Sequence, residues 1–244
     1  MAILSIDGHS LSLRDLAAVA RRSRKVDLSS KAIDAMNQSA HWVEQAASGE
    51  LKDASGNSEA IYGINTGFGS LARLRIPQES LGDLQRNLIR SHAAGVGDPA
   101  PRDVARAMVL LRANALAKGA SGCRVELVQG LLALLNKGCD PIVPSQGSCG
   151  SSGDLAPLAH LGLLLSHQPE DPDNETGEAW VGRERLFGRQ ALQRVGIETL
   201  QLGPKEGLAL TNGAQLSTAF AALALYDAQR LVRLAEIAAA MSIE

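Results

Sequence analysis

Aromatic side chains are scarce: two Trp, two Tyr and three Phe make up 3% of the 244 residues. With Ala and Leu abundant, this bias runs away from strand and toward helix. Cysteine is nearly absent as well. Cys123, Cys139 and Cys149 show no CxxC spacing and stand apart from any histidine cluster, which excludes a zinc ribbon and a disulfide framework and predicts reduced thiols. No charge of one sign is in excess. The 24 Lys and Arg set against 26 Asp and Glu give a formal net charge of −2, so neither nucleic acid nor an anionic membrane is an expected partner. The expected partner is a small molecule or another subunit. No run approaches the roughly 18 apolar residues of a spanning helix. The start, MAILSIDGHSLSLRDL, lacks a basic stretch followed by an apolar one, and a cytoplasmic location is the expectation.

What is present is enough apolar material for a continuous core, 45% of the chain, in one large or two small domains. Amphipathic helices are predicted for LRDLAAVARRS and SSKAIDAMNQSAHWVEQAASG, the second opened by Ser29 or Ser30 and closed by Gly49. IYGINTGFGS, residues 61–70, breaks the helical period with three glycines and reads as a loop. Three helical runs follow: ESLGDLQRNLIRSHAAG, PRDVARAMVLLRANALAKG behind a proline, and VELVQGLLALLNKG ending at Gly138. A mainly α fold is predicted, with an N-terminal domain over 1–203. Within it an exposed loop with a short hairpin at EAWVGRERL is expected over about 168–188. From Asn212 about 30 residues run on without proline, roughly 45 Å if helical. Residues 204–244 therefore read as the first long helix of a central bundle, apparently cut short, whose apolar stripe needs partners.

The stretch GSCGSSGD, residues 147–154, carries the chemistry. It is too short and too closely followed by the helical run LAPLAHLGLLL to be a linker. A hydrolase elbow needs G-x-S-x-G, and here the second glycine comes one residue early. Neither GxxxxGK[ST] nor GxGxxG occurs, although a serine-rich helix start still allows simple anion binding. A third possibility is backbone cyclisation, in which the Gly153 amide nitrogen attacks the Ser151 carbonyl carbon and Ser152 loses its hydroxyl as water. Glycine is required at the attacking position because a Cβ obstructs the tight fold-back. The plainer alternative is a glycine-rich turn with Ser152 or Asp154 capping the next helix.

Other segments bear on the choice. PSQGSCGSSGDLAPLAHL resembles the signature of the aromatic amino acid ammonia-lyase family, usually GSxGASGDLAPLAH. YGINTGFG at 62–69, LQRNLIRSHAAGVGDP at 84–99 and KEGLALTNGAQ at 205–215 resemble that family's other motifs, in order. The resemblance covers the whole chain, which corresponds to the N-terminal half of a family member. It implies no diffusible cofactor or metal but a protein-derived methylidene-imidazolinone electrophile made from Ser151, Ser152 and Gly153. Position 151 is Ser where the family usually has Ala. The ring uses only the main chain of that residue, so the change is expected to be tolerated.

The same resemblance implies roles for side chains. Tyr62 matches the family's base for the β-proton, and Asn212 matches an asparagine that contacts the prosthetic group and substrate. Gly69, with Gly67, would let the 62–69 loop approach the substrate, and Phe68 would be either a pocket wall or simply core. Ser91-His92 stands where the family's substrate-selecting pair lies and resembles the histidine branch, so the implied reaction is loss of ammonia from L-histidine to give trans-urocanate. Tyrosine deamination, an aminomutase, or an inactive half-length assembly chain are the alternatives. The family habit of homotetramers with sites shared between subunits implies a homo-oligomer or a complementary C-terminal half as partner.

Overall fold

The computed structural model describes residues 2–52, 54–148 and 153–243. It is mainly α, with nine α-helices and seven short strands among the described residues. Helix α1 (Leu13–Arg22) opens where the Ser12 hydroxyl accepts the Asp15 amide, and α2 (Ser30–Ser48) opens on Ser29, which accepts the Ala32 amide. Gly49 ends α2 at φ 78°, a left-handed geometry that glycine reaches without steric cost. The three predicted runs form α3 (Leu81–His92), α4 (Arg102–Leu116) behind Pro101, and α5 (Val125–Lys137), closed by Gly138. Helix α4 is the axis of the core: Ala107, Met108, Val109, Leu110, Ala113 and Leu116 have no exposed surface. It is packed by α1, α5 and the long α9 (Gln215–Ile243). A helix apolar on most of its circumference has to be surrounded in this way.

Apart from the hairpin expected at EAWVGRERL, the strands are elements that periodicity did not disclose, since three or four residues are too few for an alternation to register. β1 (Leu4–Ile6) pairs in parallel with β2 (Val26–Leu28). β3 (Val96–Pro99) pairs antiparallel with β5 (Pro144–Gln146). β4 (Cys139–Pro141) joins the predicted hairpin, β6 (Glu178–Val181) and β7 (Glu184–Phe187). Exposure across 168–188 is only partial. Asp171, Thr176 and Ala179 are buried, Arg86 pairs with Asp171, and Arg189 donates to the carbonyls of Gln168 and Pro169.

Helix α6 (Leu155–Ser166) follows the glycine-serine stretch, and α7 (Gly188–Val195) follows the hairpin. The long helix does not start at Asn212. A short α8 (Glu206–Thr211) ends there, because Asn212 leaves the helical region at φ −85° and ψ 95°, and α9 begins three residues later. Two glycines let α3 and its neighbours close up: a Cβ at Gly162 in α6 would lie 2.9 Å from Ile89 of α3, and one at Gly207 in α8 would lie 2.5 Å from the Gln85 carbonyl oxygen. The first half of α9 packs through Leu216, Ala219 and Leu223, and Arg21 ties Asp227 to Asp103. From 228 to 243 every residue is exposed.

Candidate active site

The glycine-serine stretch ends in a backbone arrangement that only glycine fits. Gly153 has φ 80° and pairs in a parallel bridge with Gly213, on the turn between α8 and α9. A Cβ on Gly153 would fall 2.5 Å from the Gly213 carbonyl oxygen, which itself accepts the Asp154 amide at 2.6 Å. Cys149, Ser151 and Ser152 lie outside the described residues.

Asp154 does not cap its own helix. Its fully buried carboxylate reaches across to α9, where it accepts the Ser217 amide and hydroxyl, each at 2.8 Å, and it also accepts the Ser148 hydroxyl at 2.6 Å. One carboxylate thereby joins residue 148, residue 154 and the first turn of α9, whose free amides favour a negative partner. A buried charge with three donors on it is a stable arrangement, and removing any donor leaves it short.

Asn212 is exposed, and its main chain is held from below. The Arg112 guanidinium, 5% exposed, donates through Nη1 to the Asn212 carbonyl at 3.0 Å and to Gln215 Oε1 at 3.1 Å, and through Nη2 to the Ala209 carbonyl. Burial lowers its pKa to about 10, which leaves it cationic near neutrality. Sequence reading passed over Arg112, since in LRANALAKG it looks like any arginine on a helix.

The 62–69 loop sits on α8, with Gly63 against Leu208. It is pinned by Asn65, whose amide donates to the carbonyls of Ala46 and Glu59 and whose Oδ1 accepts the Ile61 amide. Tyr62 is 52% exposed and meets Phe68 edge to face, ring centroids 5.9 Å apart. Gly69 is exposed at φ 57° with open space where a side chain would be. His92, the last residue of α3, is half-buried. Its Nδ1 lies 2.8 Å from the Leu88 carbonyl, which can only accept, and 3.0 Å from the Ser91 hydroxyl, so Nδ1 is placed to donate and Nε2 is the ring nitrogen outside these contacts. The elements bearing Tyr62, His92 and Asn212 are in contact through α3 and α8, but among the described residues no hydrogen bond joins the three side chains.

Other groups fall outside this constellation. His160 on α6 accepts the Gly95 amide at Nε2, 3.1 Å, and burial pushes its pKa down, as it does for His167. Burial raises the thiols of Cys123 and Cys139 to about 12, so both are protonated and inert. A cavity of about 620 Å³ opens beside His160, Asp98 and Glu178, and among the described residues none of Tyr62, Phe68, Gly69, His92, Gly153 and Asn212 lines it. Among the described residues no cluster of potential metal ligands occurs, and no helix is long and apolar enough to cross a membrane.

Comparison with known proteins gives this geometry a context. Residues 11–244 match the model of a family described as aromatic amino acid lyase. Histidine ammonia-lyase from Gloeobacter violaceus is 48% identical over 241 residues, which cover 99% of this chain and 44% of that protein. The enzyme of the same name from Anaeromyxobacter sp. (strain K) is 50% identical over 245 residues, covering 100% of this chain and 46% of its own length. Among solved structures, histidine ammonia-lyase from Trypanosoma cruzi matches at TM-score 0.83 and 34% identity, over 99% of this chain and 43% of that one. Tyrosine aminomutase from Streptomyces globisporus matches at 0.77 and 34%, over 91% and 38%. The chain thus spans less than half the length of these relatives.

Proposed function

The chain belongs to the aromatic amino acid lyase family, and from that premise we propose that it is the N-terminal part of an enzyme that removes ammonia from L-histidine to give trans-urocanate. The electrophile is a methylidene-imidazolinone group formed from Ser151, Ser152 and Gly153. The observation that carries this reading is Gly153, held at φ 80° with its backbone against Gly213 where no Cβ fits, next to the turn bearing Asn212. When formed, the group supplies an electron-poor methylidene carbon that eases departure of an amine.

The chain's own residues do the rest. Tyr62 Oη, exposed beside Phe68, takes the β-proton, and Phe68 and Gly69 border the substrate. Asn212 offers an amide that donates without titrating. His92 presents Nε2 as an acceptor to the N–H of the substrate's imidazole, a match that a phenol or phenyl side chain would not repay in the same way. Two relatives at 48% and 50% identity bear the name histidine ammonia-lyase, which favours this substrate.

The exposure of Tyr62, Asn212 and residues 228–243 supports a second element of the proposal. Residues 1–203 form the ring-making domain, residues 204–244 begin a bundle, and turnover requires other copies or a complementary C-terminal half. The test is intact mass of the purified chain, then absorbance of the conjugated product after adding that half. Loss of two waters between 151 and 153, followed by urocanate from L-histidine, is expected. Turnover of tyrosine or phenylalanine in its place would overturn the substrate, and an unmodified mass would overturn the electrophile.

A further inference from the structure

Arg112 is a buried cation with no anionic partner. Among the described residues no carboxylate pairs with it, and its Nε makes no hydrogen bond although it is buried. Taking a guanidinium out of water is costly unless its donors are used, and here three bonds from its two terminal nitrogens all go to one place. That place is the end of α8 and the turn after it: the carbonyls of Ala209 and Asn212 and the side chain of Gln215. An apolar side chain at this position would leave the Ala209 and Asn212 carbonyls and Gln215 Oε1 without this donor.

What the turn holds explains the choice. Gly213 sits directly on the guanidinium, so close that a Cβ there would lie 2.5 Å from Nη1. On the other face of the same residue, the Gly213 carbonyl receives the Asp154 amide and bears on Gly153. Arg112 is therefore separated from Gly153 by a single residue, Gly213.

We propose that Arg112 is a positioning residue for ring closure: by fixing the Asn212–Ala214 turn it fixes the wall on which Gly153, the residue that supplies the attacking amide, rests. The inference rests on the proposed use of Ser151, Ser152 and Gly153. In that step a bond forms from Gly153 N to Ser151 C. The carbonyl oxygen leaves as water with the amide protons of Gly153 and Ser152, and a second water takes the Ser152 hydroxyl and its α-hydrogen.

The experiment follows the mass of freshly refolded chain over time for wild type, Arg112→Met, Arg112→Lys and Gly213→Ala. Gly213 is outside the left-handed region, and a Cβ there would meet Gln215 Oε1 at 2.1 Å and Arg112 Nη1 at 2.5 Å, so its alanine variant keeps the buried cation but disturbs the contacts it makes at the turn. Folding is checked by far-ultraviolet circular dichroism and thermal melting. Folded Arg112→Met and Gly213→Ala should lose the two waters about tenfold more slowly or worse, the scale of one lost charge-assisted hydrogen bond, with lysine restoring part of the rate. Wild-type closure rates in the folded variants would overturn the role of Arg112 alone. A wild-type chain that never loses water would overturn the ring reading and this proposal together. Should Arg112→Met not fold, the lysine and alanine variants decide by the same criterion.

Discussion

At the residue scale the site depends on a glycine whose conformation and surroundings both exclude a side chain. Gly153→Ala would force an L residue to φ 80°, a cost of about 1–2 kcal/mol, and set a Cβ 2.5 Å from the Gly213 oxygen. The expected result is a chain that keeps both waters and melts at a lower temperature than wild type. Full loss of water in this variant would remove the central observation. Tyr62→Phe tests a different step, because phenylalanine retains the edge-to-face contact with Phe68 and lacks only the proton-accepting oxygen. The mass should be unchanged while kcat of the complemented enzyme falls about 10²–10⁴-fold, the usual worth of a positioned general base. Equal turnover would rule Tyr62 out as the base. Gly153, Tyr62, His92 and Asn212 could be named as candidates from the sequence because motif spacing marks them. Arg112 was not, since its meaning lies in a contact 100 residues away in sequence, and the Asp154 carboxylate serves a helix other than the one it precedes.

Helices were the legible elements, and their boundaries followed from Ser29, Gly49, Pro101 and Gly138, whose local chemistry starts or stops a helix whatever surrounds it. The break at Asn212 was hidden because TNGAQ has no proline and the arginine that stabilises the turn comes from α4. Helix α6 shows how an element couples site geometry to pH. His160 holds the Gly95 amide and is kept neutral by burial, and His167 at the end of α6 is shifted the same way. Their folded values lie below the ordinary value of about 6.5, so the unfolded chain binds more protons as pH falls. Stability is complete above about pH 6.5 and declines as pH drops toward the folded values, by about 1.4 kcal/mol per pH unit for each proton taken up. Denaturant midpoints should therefore fall between pH 7 and 5. His160→Gln, which still offers Gly95 an acceptor, should have a shallower slope. A profile as steep as wild type would show that His160 does not contribute.

At the scale of the whole molecule, the end of α9 is a surface that the described fold leaves uncovered. Helix α9 is anchored through Leu216, Ala219, Leu223 and the Arg21–Asp227 pair, but beyond these it carries Leu231, Val232, Leu234, Ile237 and Met241, each more than half exposed. Sixteen exposed residues cannot gain their helical stability from packing, and an isolated helix of that length is marginal. A contiguous apolar face of this kind marks an interface, and the chain supplies less than half the length of its relatives. The purified chain is therefore expected to self-associate at micromolar concentration in sedimentation velocity. Leu234→Glu with Ile237→Glu should shift it to monomer and remove any dependence of the thermal melt on protein concentration, while the fold is kept because both side chains are exposed. Adding the complementary C-terminal half should displace the self-association of the wild-type chain and fail with the doubly charged variant. A wild-type chain that sediments as a monomer, with helix content reduced by the last turns of α9, would mean that this face is not an interface at all.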